Sequence, residues 1–203
     1  FYMLPQVTPF VYQGQEIGMT NLHLPRLDMY VDVMLKNNCR IASKVLPQSA
    51  VLKLAQRSCR DSARTPMQWT GGPWAGFSET RPWFYLNENY RDVNVEVEER
   101  DPDSLLNFYR ELIAFRKAEP LVMEGEYKEH LRQSPNFYVY SREAGGRRLL
   151  VICSFADKDT YFTAPEGFDL MQGRLVLKNY EMNLVINNCF TARPYELRVY
   201  LFE

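Results

Sequence analysis

With 203 residues, 24 basic and 25 acidic side chains and a formal charge of −1, the chain has room for one or two domains. It offers no electrostatic footprint for nucleic acid or an anionic membrane. A hydrophobic content of 46% with 24% charged residues excludes a disordered chain, and no apolar run approaches the roughly 20 residues of a membrane span. Four scattered cysteines (Cys39, Cys59, Cys153, Cys189) and two distant histidines (His23, His130) lack zinc or redox spacing. Reduced thiols, a cytoplasmic setting and no metal or cofactor are therefore expected.

In chain order, Phe1 opens inside apolar sequence without a signal-peptide pattern, which reads as a cut in a longer sequence. Residues 9–12 are a short apolar run passing directly into Gln13-Gly14-Gln15-Glu16. That pattern predicts a buried parallel strand delivering functional groups at its carboxyl end. A lone strand cannot satisfy its backbone, so its partners are expected upstream of Phe1. Residues 28–57 have helical periodicity, interrupted at Pro47. Residues 60–97 are punctuated by Pro66, Gly71, Gly72, Pro73, Gly76 and Pro82 and read as a long loop; such length is uncommon unless it serves a function.

The clearest helix is predicted over 102–118, with Asp101 as N-cap, Pro102 in the first turn and Leu105, Leu106, Tyr109, Leu112 and Ile113 on one face. After Pro120 the period becomes strand-like. Two alternating runs, 137–142 and 149–155, flank Ala144-Gly145-Gly146, a hairpin turn. Further strands are predicted at 160–163, 174–179 and 197–202. Short strands with frequent turns indicate a small antiparallel sheet or sandwich.

Three segments carry a family resemblance. The run from Thr8-Pro9-Phe10 through Gln13-Gly14-Gln15-Glu16 to Met19 resembles the eighth barrel strand of α-amylase-type glycoside hydrolases. Arg60-Asp61-Ser62-Ala63-Arg64-Thr65-Pro66-Met67-Gln68-Trp69, followed by Ala75-Gly76-Phe77 and Pro82-Trp83, is similar to the loop after that strand in the oligo-1,6-glucosidase and α-glucosidase branch. Asn94-Val95, then Asp103 to Tyr109 and Phe115-Arg116-Lys117, is similar to the last barrel helix, with a weaker echo in Arg193-Pro194-Tyr195-Glu196. The resemblance implies an α/β plus all-β fold: the last strand and helix of a (β/α)8 barrel in residues 1–118, then a small antiparallel β-sandwich C-terminal domain in 119–203. A complete barrel takes roughly 250 residues, so the rest of the same barrel is the expected partner, with an oligosaccharide as substrate.

The implied chemistry is retaining exo-α-glucosidase action through paired carboxylates, which the family places on earlier strands, upstream of Phe1. The segment by itself is then inactive. Glu96, Glu98 and Glu99 read as a solvated acidic face and not as a substitute pair. The resemblance assigns Arg60 to the terminal glucose, with Asp61, Arg64, Glu16 and Gln13 supporting the pocket. The alternative is that Arg60 and Arg64 only pin the loop through Asp61 or Glu16. Trp69, Trp74, Phe77 and Trp83 either pack the loop onto the barrel or, singly, stack on a sugar. Two departures stand out: Val7 where relatives carry Gly, and Met34 where they carry an acid facing the acceptor sugar, which leaves the α-1,4 or α-1,6 preference open. Trehalose-6-phosphate hydrolase, sucrose isomerase and a non-catalytic relative are the alternatives within the family. Outside it stands the β-domain as a carbohydrate-binding module in its own right, which its aromatic side chains Tyr127, Phe137, Tyr138 and Tyr140 leave open.

Overall fold

The structure is a computed structural model that describes all residues from Phe1 to Glu203. Packing divides the chain into two compact units, Val11–Tyr109 and a second made of Phe1–Phe10 with Arg110–Glu203.

In the Val11–Tyr109 unit, helices α1 (Val33–Ala42) and α2 (Gln48–Ser58) form a hairpin broken at Pro47, which has extended backbone immediately before α2. Proline cannot donate the amide that a helix interior needs, so the break falls there. Leu35, Val51 and Ala55 are the buried residues of the two helices. Leu35 and Ala55 join Leu22, Leu24, Tyr30, Cys59 and Phe84 in one apolar core. Residues 60–94 run through short 3-10 turns, and the loop ends where Asn94 caps α3 (Val95–Arg100) by accepting from Val97 N at 3.0 Å. Glu96, Glu98 and Glu99 thus lie on a short helix that begins inside the stretch read as a loop to residue 97.

The strand expected at 9–12 does not form; these residues are extended chain without a ladder, and Phe10 is 85% exposed. No neighbouring strand exists within these 203 residues to accept its hydrogen bonds, so the physical requirement for a ladder is unmet. The chain then turns at Gly14, whose φ of 89° brings Met19 N to its carbonyl at 2.9 Å. That left-handed φ favours glycine, and a Cβ there would lie 2.4 Å from Met19 Sδ and push that side chain aside.

Helix α4 spans Leu105–Ala118. Its cap is Ser104, which accepts from Asn107 N at 3.2 Å, and not the expected Asp101, which accepts from Asp103 N at 2.9 Å in the preceding turn. Glu98 Oε2 accepts from Leu106 N at 3.2 Å, so two first-turn amides find side-chain acceptors other than Asp101. Leu112 is buried, whereas Leu105 and Ile113 of the expected apolar face are exposed.

In the second unit, the one-turn helix α5 (Leu121–Glu124) precedes seven strands: β1 Glu126–His130, β2 Phe137–Ala144, β3 Arg147–Ser154, β4 Thr160–Thr163, β5 Arg174–Lys178, β6 Cys189–Ala192 and β7 Leu197–Phe202. They make a five-stranded antiparallel sheet in the order β1-β2-β3-β7-β5 and a two-stranded sheet β4-β6. The β2–β3 hairpin closes through Gly145 and Gly146 with φ of 58° and 82°, both left-handed as a two-residue hairpin turn requires. One face of the large sheet (Val139, Leu150, Ile152, Tyr200, Phe202) packs on Phe162, Phe190 and Ala192 of the small sheet. Alternating side chains from both sheets thus fill one sandwich core. The opposite face meets α5, where Arg142 Nε donates to Leu121 O at 3.3 Å. Arg116 of α4 collects the carbonyls of Met3, Pro5 and Val7, and Tyr140 Oη donates to Phe1 O at 3.0 Å. These contacts explain why the first ten residues pack with the sheet. No helix is long and apolar enough to cross a membrane.

Candidate functional site

The Arg60-Asp61-Ser62-Ala63-Arg64 segment folds as a 3-10 turn directly after α2. Asp61 is fully buried. Its Oδ2 accepts from Val31 N at 2.7 Å and Asp32 N at 3.1 Å, and its Oδ1 accepts from Arg64 Nη1 at 2.9 Å. One carboxylate thereby fixes the backbone at residues 31 and 32. Cys59 adds a weak acceptor, its sulfur 3.3 Å from Asp61 N, and burial pushes its thiol up to about 11.

Asp32 caps α1, with Oδ1 accepting from Met34 N at 3.0 Å and Leu35 N at 3.4 Å. The same carboxylate receives Arg60 through two parallel bonds, Nε to Oδ2 and Nη2 to Oδ1, both at 2.7 Å. This is the fork geometry that arginine makes with a carboxylate. The Arg60 hydrogen bond, aided by the Leu35 and Met34 amides, holds the Asp32 carboxyl well below its ordinary range against the opposing effect of burial. Reciprocally, Asp32 raises the Arg60 guanidinium above its ordinary value. Asp32 is 3% exposed while the Arg60 side chain is 57% exposed. The guanidinium is fixed along one edge and presents Nη1 to whatever lies outside.

Of the residues expected from the sequence, Arg60, Asp61 and Arg64 share this turn. Gln13 lines a cavity of about 370 Å3 with Ser62 and Ala63, and Tyr12 Oη donates to Ala63 O at 2.8 Å across it. Glu16 pairs with neither arginine, and its Oε2 is buried without a hydrogen-bond partner. Asp32 is the residue that sequence reasoning missed. An aspartate two positions ahead of Met34-Leu35 has the signature of a helix cap, but nothing in the sequence links it to an arginine 28 positions later. Met34 is 58% exposed in the first turn of α1, which holds no acidic side chain. Trp69, Phe77 and Trp83 are also exposed, at 48%, 48% and 78%.

A family model described as alpha amylase, catalytic domain, matches residues 1–125. The chain is 36% identical over 198 residues to the oligo-1,6-glucosidase of Halalkalibacterium halodurans, covering 96% of this chain and 35% of that protein. It is 40% identical over 200 residues to the trehalose-6-phosphate hydrolase of Escherichia coli (strain K12), covering 94% of this chain and 34% of that one. Among solved structures, the trehalose-6-phosphate hydrolase of Bacillus licheniformis superposes with a TM-score of 0.91 at 33% identity, over 98% of this chain and 36% of that chain. The isomaltulose synthase of Klebsiella sp. LX3 superposes with a TM-score of 0.85 at 30% identity, over 98% and 36% respectively. The chain therefore spans about a third of the length of the relatives it matches.

Proposed function

The chain belongs to the alpha-amylase family, and from that premise we propose that it forms the C-terminal part of a retaining exo-α-glucosidase acting on short oligosaccharides. In this reading residues 1–118 complete the catalytic barrel and 119–203 form its C-terminal β-domain. The nucleophile and the general acid come from the two-thirds of the relatives' length that lies outside the match, and the full-length protein works in the cytoplasm. The contribution of this segment is grip.

Arg60 donates from its open edge to hydroxyls of the terminal glucose, and Asp32 keeps the guanidinium oriented before substrate arrives. Such preorganisation spares the site the entropy of ordering a long side chain during binding. Asp61 holds the Asp32 backbone, and Arg64, Gln13 and Glu16 complete the support. The carrying observation is the bidentate Asp32–Arg60 pair with one face buried and the other open. A panel of α-glucosides offered to the full-length protein tests it. Turnover of isomaltose or maltose with release of α-glucose supports the reading, and no turnover of any neutral α-glucoside rejects it. The likeness to trehalose-6-phosphate hydrolases at 40% identity and a TM-score of 0.91 favours one second reading, hydrolysis of a phosphorylated disaccharide. Trehalose 6-phosphate in the same panel separates the two.

A further inference from the structure

A cavity of about 460 Å3 opens in the Val11–Tyr109 unit beside the Arg60 site, a volume typical of small-ligand sites. Its walls include Trp74, Trp83, Met29 and Val31, with Asp28 and Arg81 as polar edges. Val31 connects the two places: it lines the cavity, and its amide is held by Asp61 one residue before the aspartate that grips Arg60.

Three features distinguish this cavity from ordinary packing. Within these 203 residues Trp83 is 78% exposed, its ring tilted by 42° against Phe84 with centroids 5.1 Å apart, so most of the indole is open. Trp74 and Ala75 both sit in the left-handed region, with φ of 53° and 57°, where side-chain-bearing residues are strained. That turn is held by Ala75 O, which accepts from Trp69 N at 2.9 Å and Thr70 N at 3.0 Å, and it sets Trp74 in the cavity wall. Finally, the polar groups are of both kinds. Asp28 is held by Arg26 through two bonds of 3.0 and 2.8 Å and keeps acceptor capacity to spare, while Arg81 has no ion-pair partner and offers donors.

An aromatic face with a carboxylate acceptor and a guanidinium donor matches a pyranose ring, whose C–H face is apolar and whose rim alternates donors and acceptors. We propose that this cavity is an accessory site for an uncharged glucosyl unit of the substrate, stacked on Trp83 and hydrogen-bonded to Asp28 and Arg81. It extends the reading of Arg60 as the grip on the terminal glucose. Asp28 in the wall disfavours a phosphorylated unit.

Titration of the full-length protein with a thio-linked glucotriose, which is not cleaved, tests this. Affinity is read for wild type and for Trp83→Ala, Trp83→Phe and Arg60→Ala. The account expects Trp83→Ala to weaken binding about tenfold, the scale of one ring face returned to water, with most of it restored in Trp83→Phe. Glucose alone should show a much smaller difference between wild type and Trp83→Ala. Equal affinity in wild type and Trp83→Ala overturns the accessory site and assigns the cavity to packing. If Trp83→Ala weakens binding and Arg60→Ala does not, the cavity stands and the Arg60 reading falls; the reverse pattern keeps Arg60 and removes the cavity.

Discussion

Asp61→Ala examines the support beneath the site. Asp61 accepts three hydrogen bonds in full burial. Arg64 is 44% exposed and rehydrates when released, so that pair contributes little. The amides of Val31 and Asp32 have no other acceptor, and Asp32 N lies inside the fold. Each amide deprived of a carboxylate acceptor costs roughly 1.5–3 kcal/mol. With Val31 at the rim, about 3 kcal/mol is reasonable for the two together. Local opening of the segment around residues 28–36 should then speed amide exchange by roughly a hundredfold. Hydrogen exchange read by mass spectrometry on the full-length protein measures this, with the β2–β3 hairpin as internal reference. Asp61→Asn retains one acceptor oxygen and should fall between the two. Exchange within threefold of wild type at residues 28–36 would refute the assignment of Asp61 as the anchor of the Asp32 backbone.

Three further outcomes are expected. Because Arg60 lowers the folded-state pKa of Asp32, the stability this carboxylate adds is complete above its unfolded value of about 4 and is lost as pH falls further toward the depressed one. The melting difference between wild type and Asp32→Asn should be constant from about pH 7 to 5 and shrink below about 4; a difference that grows on acidification contradicts this. In the β-sandwich, Arg198 is 1% exposed, bonded to Glu196 at 2.6 Å and stacked with its guanidinium carbon 3.6 Å from the Phe190 ring centroid. Asn183 Oδ1 also accepts from Arg198 Nη2. Glu196→Gln should destabilise the sandwich by about 3 kcal/mol in urea unfolding, because it strands a buried cation, and a loss under about 1 kcal/mol would show that Asn183 and Phe190 suffice. Finally, Gly125→Ala should cost more than Gly146→Ala, although only Gly146 has a left-handed φ. A Cβ at Gly125 would meet Leu121 O at 2.7 Å and Glu143 N at 2.9 Å, whereas at Gly146 nothing lies within 4 Å. Gly146→Ala should cost about 1 kcal/mol of backbone strain, and the reverse order in thermal melts rejects the clash.

Local chemistry made part of this fold legible. The Pro47 break, α4 and the β2–β3 hairpin followed from periodicity and turn residues, because each is decided within a few positions. What escaped prediction is decided elsewhere. Strand β1, Glu-Tyr-Lys-Glu-His, is an edge strand with three of five residues exposed, so it carries no apolar alternation to read. Strand β6 has four residues, preceded by Asn187 and Asn188 in left-handed conformation. The 9–12 run has strand chemistry but no neighbour with which to pair. At the site, the sequence singled out the Arg60 turn, and the structure joined it to Asp32, an assignment that depends on how α1 and α2 fold back on each other.

The most direct test of the central claim is kcat/KM of the full-length protein with Arg60→Ala and Arg60→Lys, measured on the best α-glucoside of the panel. A grip made by a preorganised fork predicts a loss of about a hundredfold or more for alanine, incomplete recovery with lysine, and partial rescue of Arg60→Ala by added guanidinium only while Asp32 is intact. A loss below about threefold in Arg60→Ala would remove Arg60 from the sugar site and leave the Asp32 pair as a fastening of the loop.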